Sequence, residues 1–299
     1  MSSHSLAFGP DAEPILRKQP GGFTVLGRFL RRNPLATLGL ILFTSWALIS
    51  VLAPAIAPHA PLEQDIVNRL QGPSVAHWFG TDQLGRDVFS RVLYGGRLSL
   101  PAGVMVVIVA GIIGTILGAL SGFIGGWFDE LTMRATEVFL AFPTIILAMA
   151  VAAALGPSLA NAIIAMVVVW WPNYARVVRS LVIGVKSQEY VTAAHALGVP
   201  RNRLLWRTVL PNSLGPAVVL ATIDLGNAIL VFAGLSFLGL GPEPSTPEWG
   251  RMVADGIAYF DQWWMAAFPG LAIFTVVIAF NFLGDGIRDA LDPRLRKGV

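Results

Sequence analysis

Six long apolar runs decide what this chain can become. They are Leu35–Ala57 (behind Arg31-Arg32-Asn33-Pro34), Leu98–Gly125, Glu137–Leu155, Ser158 to about Tyr174, Ser213–Leu240 and Ala266–Gly286. A helix crossing a bilayer needs about 20 mostly apolar residues. The runs are continuously apolar rather than alternating, which favours helices over a barrel. Of the 299 residues, 55% are hydrophobic and 13% charged, and the mean hydropathy is +0.65. Soluble domains are roughly a quarter charged, so this chain cannot clothe a soluble core. Disorder needs low hydrophobicity and high charge, and is excluded on the same ground. The expected fold is an all-α integral membrane protein with six transmembrane helices.

Lysine and arginine placement orients the spans. With the N-terminus inside, the inner segments hold Arg17, Lys18, Arg28, Arg31, Arg32, Arg134, Arg176, Arg179, Lys186, Arg201, Arg203, Arg207, Arg288, Arg294, Arg296 and Lys297. The outer segments hold only Arg69, Arg86, Arg91, Arg97 and Arg251 of the 21 basic residues. Both termini are therefore expected in the cytoplasm. The Ala-Pro-Ala-Ile-Ala after the first run has signal-peptidase-like spacing. The charged region before it is too long and the apolar run too extended for a cleaved leader, so a retained anchor is expected. The layout is a cytoplasmic tail over 1–34, a first span over 35–57, an external segment over 58–97, a core over 98–288 and a tail over 289–299.

The tail to about Gly22 carries Pro10, Pro14 and Pro20 and reads as flexible. In the external segment, Asp82 and Arg86, and likewise Asp87 and Arg91, stand four apart in the order a helix favours. A charge-braced surface helix is expected there, with contact to a partner or substrate as the sharper alternative. Gly114, Gly118, Gly122 and Gly126 recur every four residues and predict one close-packed helix face. Asp224 is the one acid well inside a span, with Asn227 on its face. A carboxylate in hydrocarbon is costly, so it marks either a translocation pathway or a buried packing site. Glu137 and Asn161, near span ends, should snorkel or cap.

Several chemistries are excluded. A net charge of +3 is too small to imply nucleic acid. There are no cysteines, hence no disulfides or thiolate metal sites. His4, His59, His77 and His195 are too scattered for a metal site by local spacing, so no metal ligands are assigned. Gly184-Val185-Lys186-Ser187 lacks the glycines and Gly-Lys pair of a phosphate-binding loop. No nucleophile–base set or H-E-x-x-H helix is visible, so no catalytic residue is assigned and no enzyme activity is expected.

The connection from about 176 to 212 is long and basic. QEYVTAAHALG predicts a short helix, rich in alanine, stopped at Gly198 with Pro200 following. A second helix is expected over Asn202–Leu210, stopping before Pro211. Small alanines flanked by Tyr190, Val191 and Leu197 make a surface that could fit a groove, or an ordinary interfacial helix pair.

Here the residues match a known pattern. EYVTAAHALGVPRNRLLWRTVLPN resembles the EAA loop of permease subunits in ABC importers, through Ala193-Ala194, Gly198 and Leu210-Pro211. It departs from the pattern in the position of Glu189, in Thr192 before the alanines, and in Thr208 where isoleucine is common. HWFGTDQLGRDVFSRVLYGGRLSL, LSFLGLGPEPSTPEWGRM and FNFLGDGIRDALDPRL are similar to the peptide-importer branch. ALGPSLANA and FDQWW resemble D,D-dipeptide permeases. The likeness runs from about residue 28 to the end.

The resemblance implies a type I ABC importer permease bundle in the bacterial inner membrane, moving short peptides. It implies a second homologous permease, two cytoplasmic ATPases and an outer solute-binding protein as partners. ATP and Mg would be used by the ATPases, and no cofactor would be bound by this chain. Glu189, Tyr190, Ala193, Ala194, Gly198, Leu210 and Pro211 would couple to an ATPase. The alternatives are an ion-driven secondary transporter, which would need internal repeats and midplane ion ligands, or the same complex carrying glutathione or nickel chelates.

Overall fold

The computed structural model describes residues 33–291. The expected tail over 1–34, apart from its last two residues, and Arg294, Arg296 and Lys297 lie outside them. Among the described residues ten α-helices follow in order: α1 Pro34–Ile56, α2 Val88–Ile124, α3 Gly126–Leu140, α4 Thr144–Leu155, α5 Leu159–Lys186, α6 Glu189–Ala196, α7 Arg201–Leu204, α8 Leu210–Phe237, α9 Trp249–Ile257 and α10 Trp264–Leu291. Among the described residues there is no β-strand, only an isolated bridge between Thr81 and Asp87.

Among the described residues four helical stretches are long and apolar enough to cross a membrane: α1, α2, α10 and the continuous run Arg201–Phe237 that ends in α8. The expected third span, Glu137–Leu155, is instead broken. α3 and α4 meet at a 91° bend and together make a fifth crossing or a re-entrant loop. Pro143 sets the break: it has no N–H to donate and disfavours helix at Phe142. The expected fourth span was too short, because α5 runs on to Lys186. Its second half carries Arg176, Arg179 and Lys186, which hide its helical character from an apolarity count.

α1 is built inside out relative to a soluble helix. Its buried residues are Ala36, Gly39, Ser50 and Ala53, while Leu35, Leu38, Ile41, Leu48, Val51 and Leu52 are exposed. Large apolar side chains turned outward are what hydrocarbon solvent accepts. α1 packs chiefly on α10, where Trp46 Nε1 donates to Thr275 Oγ1 at 2.9 Å.

α2 has 37 residues, or about 55 Å at 1.5 Å per residue, longer than the ~30 Å hydrocarbon layer. The surplus lies at its start, before the expected first residue Leu98. There Arg91 is buried at 1% exposure, so the first turns belong to a polar cap rather than to lipid.

α2 and α5 run parallel and make the most extensive helix contact in the fold. A Cβ on Gly114 would lie 2.4 Å from Trp171 O, one on Gly118 2.3 Å from Ala175 O, and one on Gly122 2.7 Å from Arg179 O. Backbone therefore touches backbone along this seam. The fourth expected member, Gly126, is not part of it. α2 ends at Ile124, and Gly126 sits beyond the break at φ +63° with nothing near its Cβ position.

The polar segments 57–87 and 238–263 gather at one end of the bundle, and α6 and α7 at the other. The expected charge-braced surface helix is absent. Asp82 and Arg86 do pair, at 2.6 Å, but across a tight turn in which Asp82 N also donates to Arg86 O. Asp87 does not pair with Arg91. Its Oδ2 accepts from Ser90 N at 2.7 Å, capping α2, and its Oδ1 meets His77 Nδ1 at 2.9 Å. Arg91 turns to Asp82 at 3.6 Å and donates to Pro61 O and Ser245 O, lacing the two outer segments together.

The seam makes an expected outcome specific. Gly118→Leu should destabilise the purified chain by roughly 1–3 kcal/mol or prevent its accumulation in the membrane, because overpacking forces backbone apart. Gly184→Leu on α5, where nothing lies within 4 Å, should melt like the parent in the same detergent.

Candidate functional site

α6 and α7 form the most distinctive exposed element at the end away from the outer segments. α6 starts with Glu189, whose carboxylate suits the positive end of a helix. Val191 is buried at 2% and Ala194 packs against the same apolar cluster, which includes Val178, Val182, Leu204, Leu205, Val209 and Leu210. The edge flanking this face carries exposed Tyr190 and Ala193, and Leu197 stands 86% exposed just past the helix end.

Gly198 ends α6 at φ +84°. Gly198 N donates to His195 O at 3.0 Å and Val199 N to Ala194 O at 3.2 Å, the paired bonds of a Schellman stop. The stop fixes the direction in which Leu197 leaves the helix. Each expected coupling residue is thus on one compact hairpin, with Leu210 inside it and Pro211 exposed at its root.

The second expected helix was wrong at its end. Arg201–Leu204 passes through a π turn over Leu205–Val209 directly into α8, without stopping before Pro211. Leu210 N donates five residues back to Leu205 O. The wider turn gives the Pro211 ring room beside the preceding carbonyls, and proline is tolerated in a first turn. α6 and α7 are therefore carried on the root of a membrane-crossing helix. Behind them lies a cavity of about 510 Å³ between Phe123, Lys186, Val191, His195, Arg201 and Trp206.

A second polar device braces this end. Arg179 on α5 grips Asp129 on α3 at 2.5 and 2.6 Å, and Ser121 on α2 donates to the same carboxylate. Sequence reasoning missed Asp129. Its partner lies 50 residues away, though an acid four residues past a long apolar run was a usable signal.

In the middle of the bundle, Asp224 on α8 is buried at 9% exposure. It faces the Tyr174 hydroxyl of α5 closely enough to interact, but Asp224 Oδ2 and Tyr174 OH close no well-formed hydrogen bond. Asn227 is exposed. This is a polar interior spot between helices, not a catalytic set. Near the bundle's margin, Glu137 is exposed beside Arg134, whereas Asn161 donates to Leu155 O and Gly156 O and closes the turn before α5.

At the far end, Glu248 is fully buried as the N-cap of α9. Its carboxylate accepts from Gly250 N, Arg251 N and Ser99 Oγ at 3.0, 2.9 and 3.0 Å. Burial pushes this carboxyl above its ordinary value of 4.5. Beside it, Trp249 Nε1 donates to Val92 O at 2.9 Å. The PEWG motif therefore locks α9 onto the start of α2.

The fold also joins residues that local spacing kept apart. The His59 and His77 rings lie tilted against each other with centroids 4.7 Å apart, next to Asp87. Eighteen residues of separation hid this contact from a search for contiguous histidine motifs.

Comparison with known proteins agrees with this architecture. Residues 114–297 match the family described as binding-protein-dependent transport system inner membrane component. Residues 26–73 match the N-terminal TM domain of oligopeptide transport permease C. A dipeptide transport system permease protein of Alkalihalophilus pseudofirmus is 48% identical over 268 residues, covering 89% of this chain and 88% of that protein. A probable D,D-dipeptide transport system permease protein of Escherichia coli K12 is 47% identical over 266 residues, covering 89% of each. A glutathione transport system permease protein of Escherichia coli O1:K1 / APEC is 44% identical over 271 residues, covering 90% and 89%. The chain belongs to the binding-protein-dependent transport system inner membrane component family.

Glu248→Ala is expected to cost about 1–3 kcal/mol in thermal unfolding, through the lost cap and the orphaned Ser99 and amide donors. The sign of the pH effect follows from the raised carboxyl. The folded state holds the proton more tightly than the unfolded one, so this group's contribution to stability should fall as pH rises above 4.5. Melting curves of Glu248→Gln should lack that component.

Proposed function

We propose that this chain, as a member of that family, is a transmembrane permease subunit of an ATP-driven ABC importer for short peptides. A second homologous permease chain completes the pathway. Two cytoplasmic ATPases bind and hydrolyse ATP with Mg, and an outer solute-binding protein delivers the cargo. Both termini and the α6–α7 hairpin lie in the cytoplasm, on the side favoured by the lysine and arginine distribution.

The observation that carries this reading is the hairpin itself. An exposed apolar edge of Tyr190, Ala193 and Leu197 is held rigid by a buried face and a Schellman stop, on the root of a membrane-crossing helix. Soluble surfaces seldom present such an edge without a partner. An ATPase gripping it can move α8 as a lever and bias the bundle between two packings, by at most its differential affinity for them. The Asp129–Arg179 grip and the glycine seam would keep α2, α3 and α5 moving as one block.

Peptide cargo rests on the dipeptide and D,D-dipeptide permeases among the relatives. Glutathione, itself a short peptide, is the second reading, favoured by the relative at 44% identity. Asp224 and Asn227 are the proposed pathway contacts. The ion-driven alternative gains nothing from the family or from the lone interior acid.

The test is reconstitution with the partner chains. Gly198→Pro removes both the left-handed stop and one of its amide donors, and Ala193→Trp thickens the exposed edge. Each is expected to cut ATP-driven uptake at least about 10-fold and to release the ATPase chains during purification, with membrane insertion unchanged. Uptake equal to the parent in both variants, or uptake by this chain alone without ATP, would refute the reading. Asp224→Asn should lower uptake while leaving the four-chain complex intact if the carboxylate contacts cargo. Loss of the complex would make it a packing group.

A further inference from the structure

At the end of the bundle opposite α6, three ligand-bearing side chains converge from three separate stretches. His59 follows α1, His77 sits in the loop before α2, and Asp87 caps α2. One ligand atom from each lies within 4.8 Å of the other two. We propose that His59, His77 and Asp87 form a binding site for a divalent transition-metal ion, with zinc as its reference occupant.

The donor set selects the metal. Two imidazole nitrogens and one carboxylate suit zinc, nickel or copper, whereas calcium and magnesium demand shells of oxygen. Three protein ligands leave a fourth position for water. Much of the site is already fixed. Asp87 Oδ2 is held by Ser90 N at 2.7 Å, leaving Oδ1 toward His77 Nδ1 at 2.9 Å. Ser90 also orients the other histidine, its Oγ accepting from His59 N at 3.2 Å. The two rings lie tilted at 31° to one another.

Closing around an ion needs ligand atoms about 3.3 Å apart, from metal–ligand bonds of about 2.0–2.1 Å. The movable member is His59, whose ring is tied only to Ala76 O, at 3.1 Å. Both histidines are partly exposed, so an ion can enter from water, while Asp87 is buried beneath them. A bound ion would staple the chain leaving α1 and the loop over 74–77 to the first turn of α2. It would stiffen the polar cap at this end, independently of what the chain transports.

The experiment uses the full-length chain in lipid nanodiscs, purified on a tag without histidines and stripped with EDTA. Zinc chloride is titrated by calorimetry, and bound metal is counted by mass spectrometry after dialysis. The expected result is one zinc per chain and a rise in melting temperature at micromolar zinc, with no rise in millimolar magnesium. His59→Phe keeps a ring against His77 and leaves the His77–Asp87 contact untouched. It should melt like the parent without zinc and bind zinc at least about 10-fold more weakly. Replacing His4 and His195 with Gln should leave binding unchanged. No zinc retained by the parent, parental affinity in His59→Phe, or loss of binding in the His4/His195 variant would each overturn the assignment.

Discussion

The bundle depends on backbone contact between α2 and α5. In lipid, apolar side chains gain little by leaving hydrocarbon for one another, so helices associate by close packing and polar links. Gly114, Gly118 and Gly122 bring the α2 backbone onto carbonyls of α5. That contact aligns two helices in parallel, which forces the chain between them to return across the bundle. The bent α3–α4 pair makes that return, and the Asp129–Arg179 grip fastens its first half to the seam. Everything at the α6 end inherits its position from this block.

The two ends use different physics. The end carrying Glu248, Trp249, Asp82 and Arg91 is closed by buried polar groups bonded to backbone and to one another, although Gln83 Oε1 and Arg91 Nη2 make no hydrogen bond there. It is a rigid cap on the starts of α2 and α10. The α6 end is closed by an apolar cluster beneath a hairpin whose outer edge is left uncovered. A stiff cap at one end and an uncovered hairpin at the other would suit the proposed transporter, whose bundle would rock between two packings without melting. Under the proposed function the hairpin would transmit force, and the seam would keep it from being lost as local bending.

Much of this was legible from residue order alone. Apolar runs located α1, α2, α8 and α10, because lipid imposes composition directly. Gly198 announced its own stop, since only glycine takes that conformation cheaply. Other features depended on distant partners. Asp87 and Arg91 have ideal helical spacing, yet Asp87 is the helix cap and is claimed by Ser90 and His77, which leaves Arg91 for Asp82. Gly126 continues the glycine rhythm but falls after the helix has ended. Pro211 looks like a terminator, and only the π turn before it lets the helix pass. Pro143 lies within an apolar run of spanning length yet breaks it. The histidine pair could not be read at all, because its contact spans 18 residues of irregular chain.

The most direct test of the account is a crosslink from Leu197. The chain has no cysteine, so a single Leu197→Cys reports without background. Placed in the assembled transporter with cysteines on the ATPase surface, it should form a disulfide with an ATPase chain, and the yield should change when ATP is added. Failure to reach any ATPase position, or labelling of that cysteine only by reagents confined to the outer side of the membrane, would contradict the account.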